Sequence, residues 1–228
     1  MIRKLVLAAL ALSSIAGGSA LAVDLLTPAG LNQGDKFRYI FVTAGTTTAA
    51  SSNIADYDAF VTAQAGVTTY QGSPVSWAAI GSTSSVNARD HVGGFSTNVP
   101  VYLVTGTKVA GNLGTGTDGL WSGTLLAAVK YGIGGSEITT DPLRTWTGSG
   151  DDGTLNPGFG LGSNQGVNFG TFDQTGGMWL FTDAIGSNFE YRMYGISAEL
   201  TVVPEPGTVV LAVCAVGVLA IRFRARRK

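Results

Sequence analysis

Along this chain the apolar residues change period several times, and each change predicts a new element. Phe37-Arg38-Tyr39-Ile40-Phe41-Val42-Thr43 is nearly unbroken in aromatic and β-branched residues and predicts a strand. Ile54, Tyr57, Val61 and Ala65 then recur at steps of three and four, which predicts a helix. Asn53 is placed to cap it, Asp56 and Asp58 lie in its first turns where the dipole favours them, and Gly66 ends it. Shorter extended segments are predicted at 75–80, 99–105, 144–147 and 178–182. A long closing strand over 191–203 alternates Met193, Gly195 and Ser197 against Tyr194, Ile196 and Ala198. Leu125, Leu126 and Val129 share one face of a short helix predicted over 120–131. The Gly-, Asn- and Asp-rich stretch 148–177 predicts a long ordered loop. One early helix, short antiparallel strands and a last strand able to pair with the first make an α+β layout in a single domain.

The two ends follow other rules. Met1-Ile2-Arg3-Lys4 is positively charged, residues 5–15 are apolar, and Ala20-Leu21-Ala22 is a small-x-small cleavage site, so residues 1–22 predict a signal peptide and a mature chain starting near Val23. At the far end Val203-Pro204-Glu205-Pro206-Gly207 leads into an apolar run to Ile221, then Arg222, Arg224, Arg226, Arg227 and Lys228. A turn-forming tripeptide, a transmembrane helix over 207–221 and a basic cytoplasmic end are the expectation. Residues 204–228 in this order resemble the PEP-CTERM sorting signal. The resemblance implies recognition by an exosortase, cleavage near Pro204, Glu205 and Pro206, and an inner-membrane-anchored intermediate that is then moved to the cell surface or beyond.

Between the two processing segments lie residues 23–203. They hold seven Lys and Arg against fourteen Asp and Glu, a net charge of −7 that argues against nucleic acid as a partner. Acidity is compatible with divalent cations or an extracellular polysaccharide matrix. Cys214 is the only cysteine and lies in the tail, so the exported domain has no disulfide, no thiol nucleophile and no Cys/His zinc set.

Spaced fragments across residues 35–200 resemble a bacterial branch of the C-type-lectin-like fold, close to endostatin-like modules. They run in order through Phe41-Val42-Thr43, Ala55-Asp56-Tyr57-Asp58-Ala59, Trp77-Ala78-Ala79-Ile80, Asn87-Ala88-Arg89-Asp90, Tyr102-Leu103-Val104, Trp121-Ser122-Gly123, Thr145-Trp146-Thr147-Gly148 and Tyr191-Arg192-Met193-Tyr194-Gly195. The resemblance implies one small sheet joining the terminal strands, flanked by a helix and crossed by long loops. Phe60 and Gly195 stand where that family often has cysteines. The Glu-Pro-Asn, Gln-Pro-Asp and Trp-Asn-Asp triplets of calcium-dependent sugar binding are absent, so lectin activity does not carry over.

Candidate chemistry is sparse. His91 is the only histidine, and its neighbour Asp90 points to the opposite face of an extended chain, so the two do not make a catalytic pair. No Gly-x-Ser-x-Gly elbow sits in a strand–turn–helix setting. Asp151 and Asp152, with Asp118-Gly119, could offer oxygens to calcium or act as an acid and base pair; Asp-Gly is also ordinary turn chemistry, and no cofactor is expected. Asn87, Arg89 and Asp90 read as a loop-core pairing set. Trp77, Trp121, Trp146 and Trp179 are core candidates before they are sugar platforms. The expected function is that of a non-catalytic exported surface or matrix protein, with a carbohydrate-binding module and a secreted hydrolase as alternatives.

Overall fold

The structure, a computed structural model, describes residues 22–93 and 98–203. In chain order its elements are β1 (Val23–Leu25), β2 (Lys36–Val42), α1 (Ile54–Ala65), β3 (Thr68–Tyr70), β4 (Ser73–Pro74), β5 (Trp77–Ala79), α2 (Ala88–His91), β6 (Val101–Leu103), β7 (Lys108–Ala110), β8 (Arg144–Trp146), β9 (Val167–Thr171), a 3₁₀ turn (Gly177–Trp179), β10 (Asp183–Ile185), β11 (Arg192–Ser197) and β12 (Leu200–Thr201). Nine strands form one mixed sheet along the path β10-β9-β8-β11-β2-β6-β7, with β12 beside β2 and β5 beside β11; β1, β3 and β4 form a small second sheet.

The predicted pairing of the first and closing strands is present. β11 runs antiparallel to β2, with Ile196 opposite Ile40 and Tyr194 opposite Val42. Its other edge is shared, parallel to β8 in the first half and antiparallel to β5 in the second. The sheet is buried on both faces. Phe37, Tyr39 and Phe41 of β2 join Tyr57, Val61, Trp77, Trp146 and Met193 in one core, while Ile40 and Val42 join Trp121, Trp179, Tyr194 and Ile196 in the other. Burial on both sides is why β2 has no polar alternation. The helix α1 covers the first face as predicted: Asn53 Oδ1 accepts from the Ala55 amide, Tyr57, Val61 and Ala65 point inward, and the chain turns at Gly66. Arg192 opens β11 as a buried cation, donating to the carbonyls of Thr43, Ala44 and Thr140.

Several expectations are corrected. The domain is mostly β, with two α-helices among the described residues, not an α+β domain with a transmembrane helix. Its sheet is mixed, since β2–β6 and β8–β11 are parallel pairs. The predicted helix over 207–221, with the whole of 204–228, lies outside the described residues, as does the signal segment 1–21. No described helix is long and apolar enough to cross a membrane, and the 14-residue run Thr208 to Ile221 would give only about 21 Å of helix against a hydrocarbon core of about 30 Å. The membrane-spanning assignment is dropped.

Residues 120–131 are not helical, because their amides bond at long range: Leu120 to the Asn112 carbonyl, Leu125 to Thr175 and Leu126 to Val109. The segment 178–182 is not a strand: the 3₁₀ turn Gly177–Trp179 leads into it, and the chain bends on to β10. The presumed loop 148–177 contains β9, an interior strand of the sheet. Gly170 disguised it. A Cβ there would sit 1.9 Å from the Trp179 carbonyl oxygen, so only glycine lets the 3₁₀ turn pack on the strand.

Candidate functional site

The chain's one histidine finds its acid partner across the fold. His91 Nε2 lies 2.9 Å from Asp58 Oδ1, and the same oxygen accepts from the Ala79 amide at 2.8 Å. Asp58 thereby ties α1, β5 and α2 together. Asp90 turns away from His91, accepting from Asn87 Nδ2 at 2.7 Å, but on the helix α2 and not on the extended chain expected from the sequence.

Beside this pair is a surface cavity of about 280 Å³ lined by Arg38, Trp77, His91, Ser197 and Glu199 among others. Arg38 Nη1 donates to the Ser197 carbonyl at 2.9 Å. Burial lowers the Arg38 pKa, and the charge of Glu199 partly opposes that. Glu199 also meets Lys36 at 2.6 Å. The cavity therefore offers a cation, a carboxylate and an oriented imidazole. It offers no activated nucleophile: the one side-chain partner of His91 among the described residues is Asp58, and no hydroxyl is hydrogen-bonded to it. The sequence reading missed Asp58, Arg38 and Glu199. For Asp58 the available signal was its place beside the inward-facing Tyr57 on α1.

Asn87, Arg89 and Asp152 form a brace between α2 and the glycine-rich turn, while Asp151 lies instead toward Gly123 and Gly177. Asn87 Oδ1 accepts from the Leu155 amide at 2.8 Å, the Arg89 amide donates to the Gly153 carbonyl at 3.1 Å, and Arg89 Nη1 lies 3.4 Å from Asp152 Oδ2. Asp152 Oδ1 accepts from both the amide and hydroxyl of Thr154, at 2.9 and 2.5 Å. Burial pushes the Asp152 pKa up, but the Thr154 hydrogen bonds and the Arg89 charge outweigh it, and the net shift is downward. Asp152 thus closes its own turn. Among the described residues no group of three or more His, Cys, Asp or Glu gathers to hold a metal ion.

All four tryptophans are buried. Trp77 donates to Thr68 Oγ1 at 2.7 Å and Trp146 to the Thr47 carbonyl at 2.9 Å, while Trp121 and Trp179 stack on each other. None presents an open face to a sugar ring.

Val23 and Val203 lie against one hairpin, β3–β4. The Val23 amide donates to the Val67 carbonyl, and β1 runs parallel to β3. At the other end the Val202 amide donates to the Asp35 carbonyl. The Gln71 side-chain amide, in the β3–β4 turn, then brackets Val203, donating to its carbonyl at 3.1 Å and accepting from its N–H at 3.3 Å. The chain is hydrogen-bonded up to the residue before Pro204. No protein-family model matches this chain, and no curated protein matches it in sequence.

Proposed function

We propose that this is an exported, non-catalytic protein of the cell surface or extracellular matrix, whose tail is read and cut by an exosortase at Pro204-Glu205-Pro206. The observation carrying this reading is that hydrogen-bonded structure reaches up to both predicted processing points. β1 starts at Val23, directly after the Ala20-Leu21-Ala22 site, and Val202 and Val203, directly before Pro204, are tied to the Asp35 carbonyl and to the Gln71 side chain. Pro204 and Pro206 lack the N–H needed to extend that pairing, so the tripeptide is a natural break between a stable body and a removable segment. The absence of any nucleophile bonded to His91 argues against the hydrolase alternative.

The test is processing in a host that has an exosortase. N-terminal sequencing of the mature protein should begin near Val23. Glu205→Ala should leave the melting of the domain unchanged and block cleavage, so that the uncut form accumulates with the cells. If Glu205→Ala protein is cut and released at the wild-type rate, the tripeptide is only a hinge and the sorting assignment fails.

A further inference from the structure

A cleft of about 540 Å³ opens at the β8–β9–β10 end of the sheet, away from the His91 cavity, lined by Asp141, Pro142, Leu143, Arg144, Phe169, Thr171, Thr182 and Asp183. Strand register explains why these residues meet. Arg144 pairs opposite Thr171, and Phe169 pairs opposite both Trp146 and Asp183. Residues directly opposite or two apart share a face, so Arg144, Thr171, Phe169 and Asp183 project on the same side.

Arg144 is held without being neutralised. Its guanidinium lies 4.8 Å from the Phe169 ring centre and 5.5 Å from that of Tyr191, and Nη1 donates to the Tyr191 hydroxyl at 2.7 Å. Among the described residues it belongs to no ion pair. Two ring faces and one hydrogen bond set the plane of the fork, which leaves the donors on Nε and Nη2 for something else. The two carboxylates of the cleft are similarly uncommitted. Asp183 accepts only from the next amide, and Asp141 has no side-chain partner among the described residues. Thr182 donates its proton to the Met178 carbonyl, so the bond between the two threonine hydroxyls uses the Thr171 proton and leaves Thr171 as an acceptor toward the cleft.

A fixed cation and two carboxylates thus share one cleft without pairing. An anion would gain Arg144 but face both aspartates, in a domain of net charge −7. A cation would gain the aspartates but face the immobile guanidinium. A hydroxyl group satisfies both, because it donates and accepts at the same atom. We propose that this cleft binds a neutral saccharide, whose adjacent hydroxyls donate to Asp141 and Asp183 and accept from Arg144, over the half-buried Pro142 and Leu143. The proposal deepens the surface-protein reading by naming a ligand class, and rests on that reading only for where the ligand would be met.

The experiment is calorimetric titration of the purified full chain with cello-, laminari-, manno- and isomaltohexaose, beside a galacturonic acid hexamer and a chitosan hexamer. At least one neutral hexaose should bind. Arg144→Gln and Asp183→Asn should each weaken it about tenfold or more, as expected for losing a hydrogen bond to a charged group. Asp141→Asn, at an exposed residue that supports nothing in the fold, should do the same with an unchanged melting curve, and Asp151→Asn should have no effect. Failure of all four neutral sugars, indifference to the Asp141 and Arg144 variants, or tighter binding of the acidic or cationic hexamer would overturn the proposal. None of these outcomes depends on whether the tail is cut.

Discussion

Gly195 is the position where one methyl group should test the packing of the whole domain. It lies in β11, opposite Phe41 on one side and Ala79 on the other, under α1. A Cβ built there falls 2.4 Å from Phe41 Cε1 and 2.6 Å from Val61 Cγ1, where carbon atoms normally rest about 3.5–4.0 Å apart. Neither neighbour can swing aside. Phe41 and Val61 are fully buried, and Phe41 is packed edge-on against Trp77 with ring centres 4.9 Å apart. The helix must therefore lift by about 1 Å, and overpacking of this kind costs roughly 1–3 kcal/mol. For a domain of this size that corresponds to a melting shift of roughly 2–12 °C. Gly106→Ala supplies the contrast. Gly106 has φ +88° and nothing within 4 Å of its Cβ position, so its cost is purely conformational, about 1–2 kcal/mol. The discriminating measurement is a double-mutant cycle by urea denaturation. Val61→Ala should cost less in the Gly195→Ala background than alone, by about 1 kcal/mol, and should simply add to Gly106→Ala. A Gly195→Ala protein within about 0.5 kcal/mol of wild type, or a cycle with no coupling, would refute the close approach of α1 to β11.

Two further outcomes can be checked on the same protein. Ile196 is fully buried and pairs with Ile40 and Ala78 on its two sides, so Ile196→Asp should cost several kcal/mol in urea melts, and deleting residues 194–203 should abolish cooperative melting; a truncated domain that melts normally would show that β11 is dispensable. Burial pushes the Tyr57 phenol up to about 12 and raises Tyr39 and Tyr194 further, so the folded state favours the protonated phenols; that stability is complete below the unfolded value of about 10 and is lost as pH climbs through 12. Denaturation midpoints taken from pH 9 to 12 should fall less steeply for Tyr57→Phe than for wild type, and equal slopes would contradict the assignment.

What the sequence revealed of the fold follows from where its signals are local. α1 declares itself because its cap, its inward positions and its stop all lie within fourteen residues, and tertiary packing reinforces each of them. β2 declares itself through a nearly unbroken run of aromatic and β-branched residues, and β11 through the alternation of Met193, Gly195 and Ser197 against Tyr194, Ile196 and Ala198. The helix expected over 120–131 failed for the opposite reason. Leu120, Trp121, Leu125 and Val129 are buried as a helical pattern demands, but the backbone amides of this stretch find carbonyls at Asn112, Thr175 and Val109. Periodicity reports which side chains go inward, and it is silent on where the amides go.

The sites were harder to read because each is assembled from strands or helices distant in sequence. Adjacency in sequence ruled Asp90 out as the partner of His91 but offered no other, and the carboxylate that His91 meets is 33 residues upstream on α1. The Arg144 cleft is the sharper case. Arg144 was placed on an extended segment from the sequence alone, but a lone arginine at a strand start has no chemistry until its neighbours are known. Those neighbours come from β9 and β10, and β9 was hidden within a glycine-rich stretch because Gly170 makes room for Trp179. Once β9 is paired antiparallel with both β8 and β10 in this register, the period-two rule brings Thr171, Phe169 and Asp183 onto the face that Arg144 occupies. The glycine that concealed the strand is thus also what allows the interior of the sheet to continue out to the cleft. A β9 register slipped by one residue would turn Phe169 and Thr171 to the other face, and Arg144 would lose the ring that holds it.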